Sequence, residues 1–242
     1  MSVPLHAAGP LIHWAKDAPP VTIEALTGTG GVLIIAPHPD DETLGCGQAL
    51  YSALEAGHQV AIVLLTDGEG SHPASASYPP DRLKHLRQRE FAEALHALTG
   101  SCVPVSHLSM PDGRTTPAQL TDAHLAQAIE AVRAVRARAI WTTWEHDPHC
   151  DHQTGAALAR QVATACDAKL WQFPVWGRFS NIQERPDLFV FHNRHALAAK
   201  RRAAEAYRSQ FTDLIADDPD AFRMPPDLLA HFLDHPELFI RG

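Results

Sequence analysis

Apolar runs alternate with amphipathic stretches along most of this chain. Val32-Leu33-Ile34-Ile35-Ala36 and Val60-Ala61-Ile62-Val63-Leu64-Leu65 are continuous and short, as strands buried on both faces are. Between them Leu44 to Glu55 reads as a helix that stops at Gly57, so the three segments predict one βαβ unit. Further strands are expected at Val103 to Leu108, Ala139 to Thr143, Lys169 to Phe173 and Asp187 to His192. Helices are expected over Arg82 to Leu98, Ala118 to Arg136, Gln153 to Cys166 and Ala196 to Arg208. Such alternation implies an α/β fold with a mainly parallel sheet covered by helices. The proline-rich residues 1–30 read as an irregular N-terminal arm, Thr66 to Pro80 as a mobile loop at the active edge, and residues 211–242 as a C-terminal cap.

A length of 242 residues suits a single domain with a sizeable core, spanning 1–242. With 45% apolar and 20% charged residues the composition is that of a soluble globular protein. A formal net charge of −8 argues against a nucleic-acid or anionic-membrane surface. Cys46, Cys102, Cys150 and Cys166 form no CxxC pair, which fits a reducing, cytoplasmic setting. No leader-like N-terminal pattern is present, and no apolar run approaches the roughly 20 residues of a membrane span. Oligomeric state is left open, a homo-oligomer included.

The candidate chemistry sits where two of the predicted strands end. Ala36-Pro37-His38-Pro39-Asp40-Asp41-Glu42 follows the first apolar run, so one histidine and three acids meet at a strand's carboxyl end, where open α/β sheets bind ligands. His38 and Asp41 suit Zn²⁺ as ligands, with Asp40 between them aimed at water rather than at the ion. The flanking prolines fix the direction of His38, which favours this reading over that of acids merely placed at a helix start. His149-Cys150-Asp151-His152 follows the Ala139 to Thr143 strand and offers a third ligand at the same sheet edge. Together the two clusters suggest metal-assisted hydrolysis.

Pro-His-Pro-Asp-Asp-Glu, with Gly45 and Gly47 behind it, resembles the signature of the PIG-L or LmbE-like zinc-dependent N-acetylglucosaminyl de-N-acetylases. His149-Cys150-Asp151-His152 is similar to that family's His-x-Asp-His motif. The resemblance implies a Rossmann-like three-layer αβα fold and a Zn²⁺ ion held by His38, Asp41 and His152. It implies Asp40 as general base and His149, held by Asp151 or a neighbour, at the substrate carbonyl or leaving amine. Thr66-Asp67-Gly68-Glu69, Arg87-Gln88-Arg89-Glu90 and Met110-Pro111-Asp112-Gly113 are similar to further segments, with Arg87 expected to contact substrate or the acidic site and Asp112 to bind sugar hydroxyls of the substrate or to form a β-turn. Lys200 to Gln210 also resembles a family segment and is expected to pack near the site. Some members carry a tyrosine before the second motif, whereas Trp144-Glu145-His146-Asp147-Pro148 stands here, leaving His146 as a substitute or His149 to act alone. Cys150 is expected to point away from its neighbours. The implied substrate is a small amino-sugar or glycoconjugate carrying an N-acyl group.

Two other enzyme classes compete. A metal-dependent phosphoesterase also places His and Asp at strand ends but usually needs more ligands for its two-metal site. An S-adenosylmethionine-dependent methyltransferase is suggested faintly by Leu44-Gly45-Cys46-Gly47 and leaves His38 and His152 without a task.

Overall fold

The computed structural model describes residues 9–242; the first eight residues of the expected arm lie outside it. The rest of the arm is partly helical, as α1 (Pro10–Ala15) and α2 (Ile23–Thr27). Pro10 starts the first, where a missing N–H costs nothing, and Thr22 caps the second by accepting from the Ala25 amide at 3.3 Å. There follow β1 (Gly31–Ala36), α3 (Asp41–Glu55), β2 (Val60–Thr66), α4 (Pro80–Thr99) and β3 (Val105–Met110). Then come α5 (Asp122–Val135), β4 (Ala137–Thr143), α6 (Cys150–Cys166) and β5 (Lys169–Phe173), which continue the expected alternation.

Two helices begin earlier than their apolar spacing indicates. Both α3 and α6 start three residues upstream, at Asp41 and Cys150, so polar residues of each cluster occupy a first helical turn rather than the loop before it. The expected helix from Ala196 is interrupted, giving α7 (Arg194–Ala204) and α8 (Arg208–Phe211) after β6 (Leu188–Phe191). The final segment is not a peripheral cap. After α9 (Pro226–Asp234), β7 (Glu237–Arg241) enters the sheet itself.

Among the described residues seven strands form one sheet in the order β3-β2-β1-β4-β5-β7-β6. The first five are parallel, and β7 runs antiparallel to both of its neighbours. Every residue of β1 and β2 is buried, which accounts for their unbroken apolar character. Burying each Val, Leu or Ile of β1 contributes roughly 1.5–3 kcal/mol. One apolar layer packs α3, α4 and α7 on one face of the sheet, while α5 and α6 cover the other. From β1 the winding proceeds outward to β2 and β3, and from β4 to β5, so strand order reverses between β1 and β4. Ligand sites of open α/β sheets lie at such a reversal, and both predicted clusters leave from the carboxyl ends of these two strands.

Candidate active site

After β1 the chain turns through two prolines whose carbonyls are both held. Thr66 Oγ1 and the Thr66 amide each donate to Pro37 O at 3.0 Å, and Arg87 Nη2 donates to Pro39 O at 2.7 Å. Asp40 then takes φ 136°, a conformation that costs a non-glycine residue about 1–3 kcal/mol and persists only where its surroundings impose it. Glu42 imposes it here. Its Oε2 accepts the Asp40 amide at 3.2 Å, and its Oε1 accepts from Tyr207 Oη at 2.6 Å and Thr43 Oγ1 at 2.5 Å. Burial raises the Glu42 pKa. The Asp40 carboxylate lies 3.2 Å from Arg87 Nη2, and burial pushes its pKa up to about 8 against the pull of that guanidinium.

His38 stands between two groups of carboxylates. Its Nδ1 is 3.1 Å from Asp41 Oδ2; its Nε2 is 2.9 Å from Asp151 Oδ2 and 3.2 Å from Asp112 Oδ1. Burial opposes a charge on this ring, but the hydrogen bonds to Asp112, Asp151 and Asp41 hold its pKa well above the ordinary value. Asp151 is fully buried and also accepts from the amides of Gly113 and Thr115 and from Thr115 Oγ1, at 2.7, 2.9 and 2.7 Å. Despite burial, its bonds to His38 and Thr115 keep its pKa far below the carboxylate range. Asp112 is likewise held at about 2 by His38, Arg87 and the Gly70 amide, against the effect of burial.

From the other strand end comes His152, fully buried in the first turn of α6. Its Nδ1 pairs with Asp147 Oδ2 at 2.8 Å, and its Nε2 lies 3.4 Å from Asp41 Oδ2 without a hydrogen-bond partner. Asp147 is the residue that sequence reasoning missed. It is fully buried and also accepts the amides of Val175, Trp176 and Gly177 at 3.0, 3.2 and 2.6 Å. A Cβ at position 177 would collide with this carboxylate, so a glycine there is what lets the loop close around it. The only sequence signal for Asp147 is its spacing, five residues before His152.

His149 caps α6, its Nδ1 accepting the Asp151 amide at 3.3 Å, and its ring stands edge-on to that of His38 with centroids 4.8 Å apart. Burial and the neighbouring His38 and His152 lower its pKa to about 4. A neutral His149 accepting at Nδ1 carries its proton on Nε2, which makes that nitrogen a donor. One ligand atom from each of His38, His149 and His152 lies within 4.8 Å of the others. Among these, the His38 nitrogen and the orphaned Nε2 of His152, with the Asp41 carboxylate between them, fit a metal ion of the zinc type, which takes imidazole and carboxylate donors.

The structure thus brings His38, Asp40, Asp41, His149, Asp151 and His152 together. Arg87 and Asp112 are 3% and 8% exposed, and their polar atoms bond to Asp40, Pro39, Gly68, His38, Thr66 and Gly70, so that Arg87 reaches the acidic site. Cys150 does not point away from its neighbours, since its Sγ donates to Asp151 Oδ1 at 3.4 Å. His146 is exposed and packs edge-on against Trp144. The loop from Thr66 to Pro80 is tied down by Asp112 at Gly70, Asp218 at Ala74 and Asp217 at Ser75 and Ser77. Two segments noted in the sequence meet directly, as Glu90 accepts from the Ser209 amide at 2.8 Å and from its hydroxyl at 2.6 Å.

Known proteins share sequence or fold with this chain. A deacetylase of 1D-myo-inositol 2-acetamido-2-deoxy-α-D-glucopyranoside from Kineococcus radiotolerans is 35% identical over 95 residues, which cover 38% of this chain and 26% of that protein. YaiS of Escherichia coli, described as an uncharacterized deacetylase, is 30% identical over 128 residues, or 50% of this chain and 62% of that protein. The matches therefore span about a quarter and somewhat under two thirds of these relatives. The N,N′-diacetylchitobiose deacetylase of Pyrococcus horikoshii shares the fold at a TM-score of 0.63 and 20% identity, over 87% of this chain and 82% of that one. The family model for GlcNAc-PI de-N-acetylase, PIG-L, matches residues 33–163, from β1 through most of α6. This match spans more than half of the sequence and contains both clusters, and the chain belongs to the PIG-L family.

Proposed function

We propose that the protein is a zinc-dependent amide hydrolase that removes an N-acetyl group from a small amino-sugar or glycoconjugate substrate. The observation that carries this reading is the buried, unpartnered Nε2 of His152, 3.4 Å from the carboxylate that also meets His38. In it His38 Nδ1, Asp41 Oδ2 and His152 Nε2 hold the ion. Zinc bound by three protein ligands supplies a Lewis acid for the amide carbonyl and lowers the pKa of water to about 7.

The chain's own residues divide the remaining work. Asp40 takes the proton from the attacking water, its carboxylate steered by Arg87 and its backbone fixed by Glu42. His149 Nε2–H donates to the oxygen on which negative charge develops. Asp151 and Asp112 accept from His38 Nε2 and so leave Nδ1 as the ligand atom, while Asp147 does the same for His152 from the opposite nitrogen. Asp151, Arg87 and Asp112 therefore act by positioning. The deacetylase names of the relatives and the family match support the same reaction class.

The reading is tested by incubating zinc-loaded protein with a panel of N-acetylglucosaminides and phosphomonoesters while measuring acetate, primary amine and phosphate. Acetate and amine in equal amounts, abolished by chelator, are expected. Phosphate without acetate would move the protein to the phosphoesterases. Metal analysis should find His38→Ala and His152→Ala folded by circular dichroism and empty of zinc.

A further inference from the structure

A broken helix under the site carries the further inference. α3 is not continuous: Cys46 has φ −141° and ψ 22°, so two helical segments meet there. The first is short and carries Asp41 and Glu42; the second packs in the core. Such a break orphans carbonyls on one side and amides on the other, as any two helix ends do. Members of both sets are satisfied from outside the helix. Lys200 Nζ donates to Leu44 O at 2.7 Å, while Glu237 accepts the Gln48 amide at 2.6 Å and the Ala49 amide at 2.9 Å. The two side chains also pair with each other at 2.7 Å, and both are fully buried.

We propose that Lys200 and Glu237 are positioning residues that hold α3 broken and so set the direction of its first turn, with Asp41 and Glu42, against β1. A buried ion pair is weak grounds for stability, because desolvation consumes most of the attraction and an apolar pair of similar volume serves as well. What an apolar pair cannot supply is a donor for Leu44 O and two acceptors for Gln48 and Ala49. A continuous helix would need neither. The first segment is also pressed against the sheet, since a Cβ on Gly45 would overlap the ring of Phe173 at the end of β5. Its freedom is confined from the other side by Tyr207, which is bonded to Glu42. The pair thus acts on the site from beneath, touching none of the ligand atoms. Its connection to metal binding rests on the hydrolase reading; its connection to the helix does not.

The experiment compares Glu237→Gln, Lys200→Met and the double variant with the wild type. Two quantities are measured: amide hydrogen exchange residue by residue, and the Kd for Zn²⁺ by chelator competition. Glu237→Gln retains volume and one acceptor, and it carries the test alone should the lysine variants not fold. We expect exchange at Asp41 to Gly45 to accelerate at least tenfold while β1 changes little, and the Kd for Zn²⁺ to rise at least tenfold. The double variant should recover much of the melting temperature lost by Lys200→Met without recovering zinc affinity. Equal acceleration across β1 and α3, or a folded Glu237→Gln with wild-type exchange in the first turn, would overturn the proposal. If the wild type itself binds no zinc, the hydrolase reading fails and the exchange pattern still decides this one.

Discussion

Replacing Asp147 with Asn changes one atom and puts the importance of this buried carboxylate to a quantitative test. The carboxylate has four donors around it: His152 Nδ1, Val175 N and Trp176 N on Oδ2, and Gly177 N on Oδ1. An asparagine keeps more bonds if its oxygen takes the Oδ2 position, which turns its NH₂ group toward the Gly177 amide. That leaves one buried backbone donor unsatisfied, at about 1–3 kcal/mol. The other three bonds lose their charge assistance and with it about half of their strength, roughly another 2 kcal/mol in all. A total near 4 kcal/mol corresponds to a fall in melting temperature of about 8–16 °C for a chain of this size. The second effect concerns His152, whose ring becomes a poorer ligand when its partner is neutral; zinc affinity should fall about 10–100-fold. Calorimetry on the metal-free variant and chelator competition on the loaded one measure the two separately. A melting temperature within about 2 °C of wild type together with unchanged zinc affinity would refute the reasoning.

Asp40→Asn should retain zinc by elemental analysis yet lose turnover by about 10²–10⁴-fold, because an amide cannot accept the proton from water; near-normal turnover would transfer the role of base elsewhere. Gly45→Ala should destabilise the protein by about 1–3 kcal/mol through overpacking against Phe173, and adding Phe173→Leu should return part of the loss in a thermal melt. Two neutral melting temperatures that agree would remove the close contact as a constraint. The Asp67 carboxyl is held far below the usual range, as its bonds from His107, Lys84, Gln88 and Ser109 outweigh burial. Its contribution is complete above an unfolded-state pKa of about 3.9 and is lost as pH falls below that toward the folded value. The melting-temperature gap between wild type and Asp67→Asn should therefore narrow on titration from about pH 5 to pH 3, and a constant gap would count against the assignment.

What was legible in the sequence follows from what hydrophobic spacing can encode. The parallel strands announced themselves because both of their faces are buried, and β5 was placed residue for residue at Lys169 to Phe173. The apolar spacing starts α3 and α6 too late because their first turns are built from Asp41, Glu42, Asp151 and His152, polar residues that interrupt the apolar stripe. Leu238-Phe239-Ile240 reads in the sequence only as part of the C-terminal cap, since a strand of five residues behind a proline-rich stretch has too little pattern to separate it from a loop. In the site, adjacency along the chain was readable and adjacency in space was not. The resemblance points Arg87 to substrate or the acidic site and Asp112 to sugar hydroxyls or a turn, and only the fold shows that their side chains meet Asp40 and His38. Asp147 and Glu237 offer no motif, and Tyr207 only its place in the Lys200 to Gln210 segment; each matters through a partner 5 to 189 residues away, which only the fold brings near.

The insertion of β7 between β5 and β6 has a consequence for the order in which the molecule assembles. Residues 33–163 contain every atom assigned to chemistry, and they leave the ribosome well before Glu237 does. Until that residue is made, the Gln48 and Ala49 amides lack their acceptor and Lys200 lacks its counter-charge. Contacts of such long sequence separation form slowly, because loop closure must precede their reward. Pulse-labelled or stalled chains ending before β7 would therefore hold only the five parallel strands, since among the strands β6 pairs with β7 alone, and under the proposed function hydrolytic competence would arrive as the last event of folding rather than with the motifs that encode it.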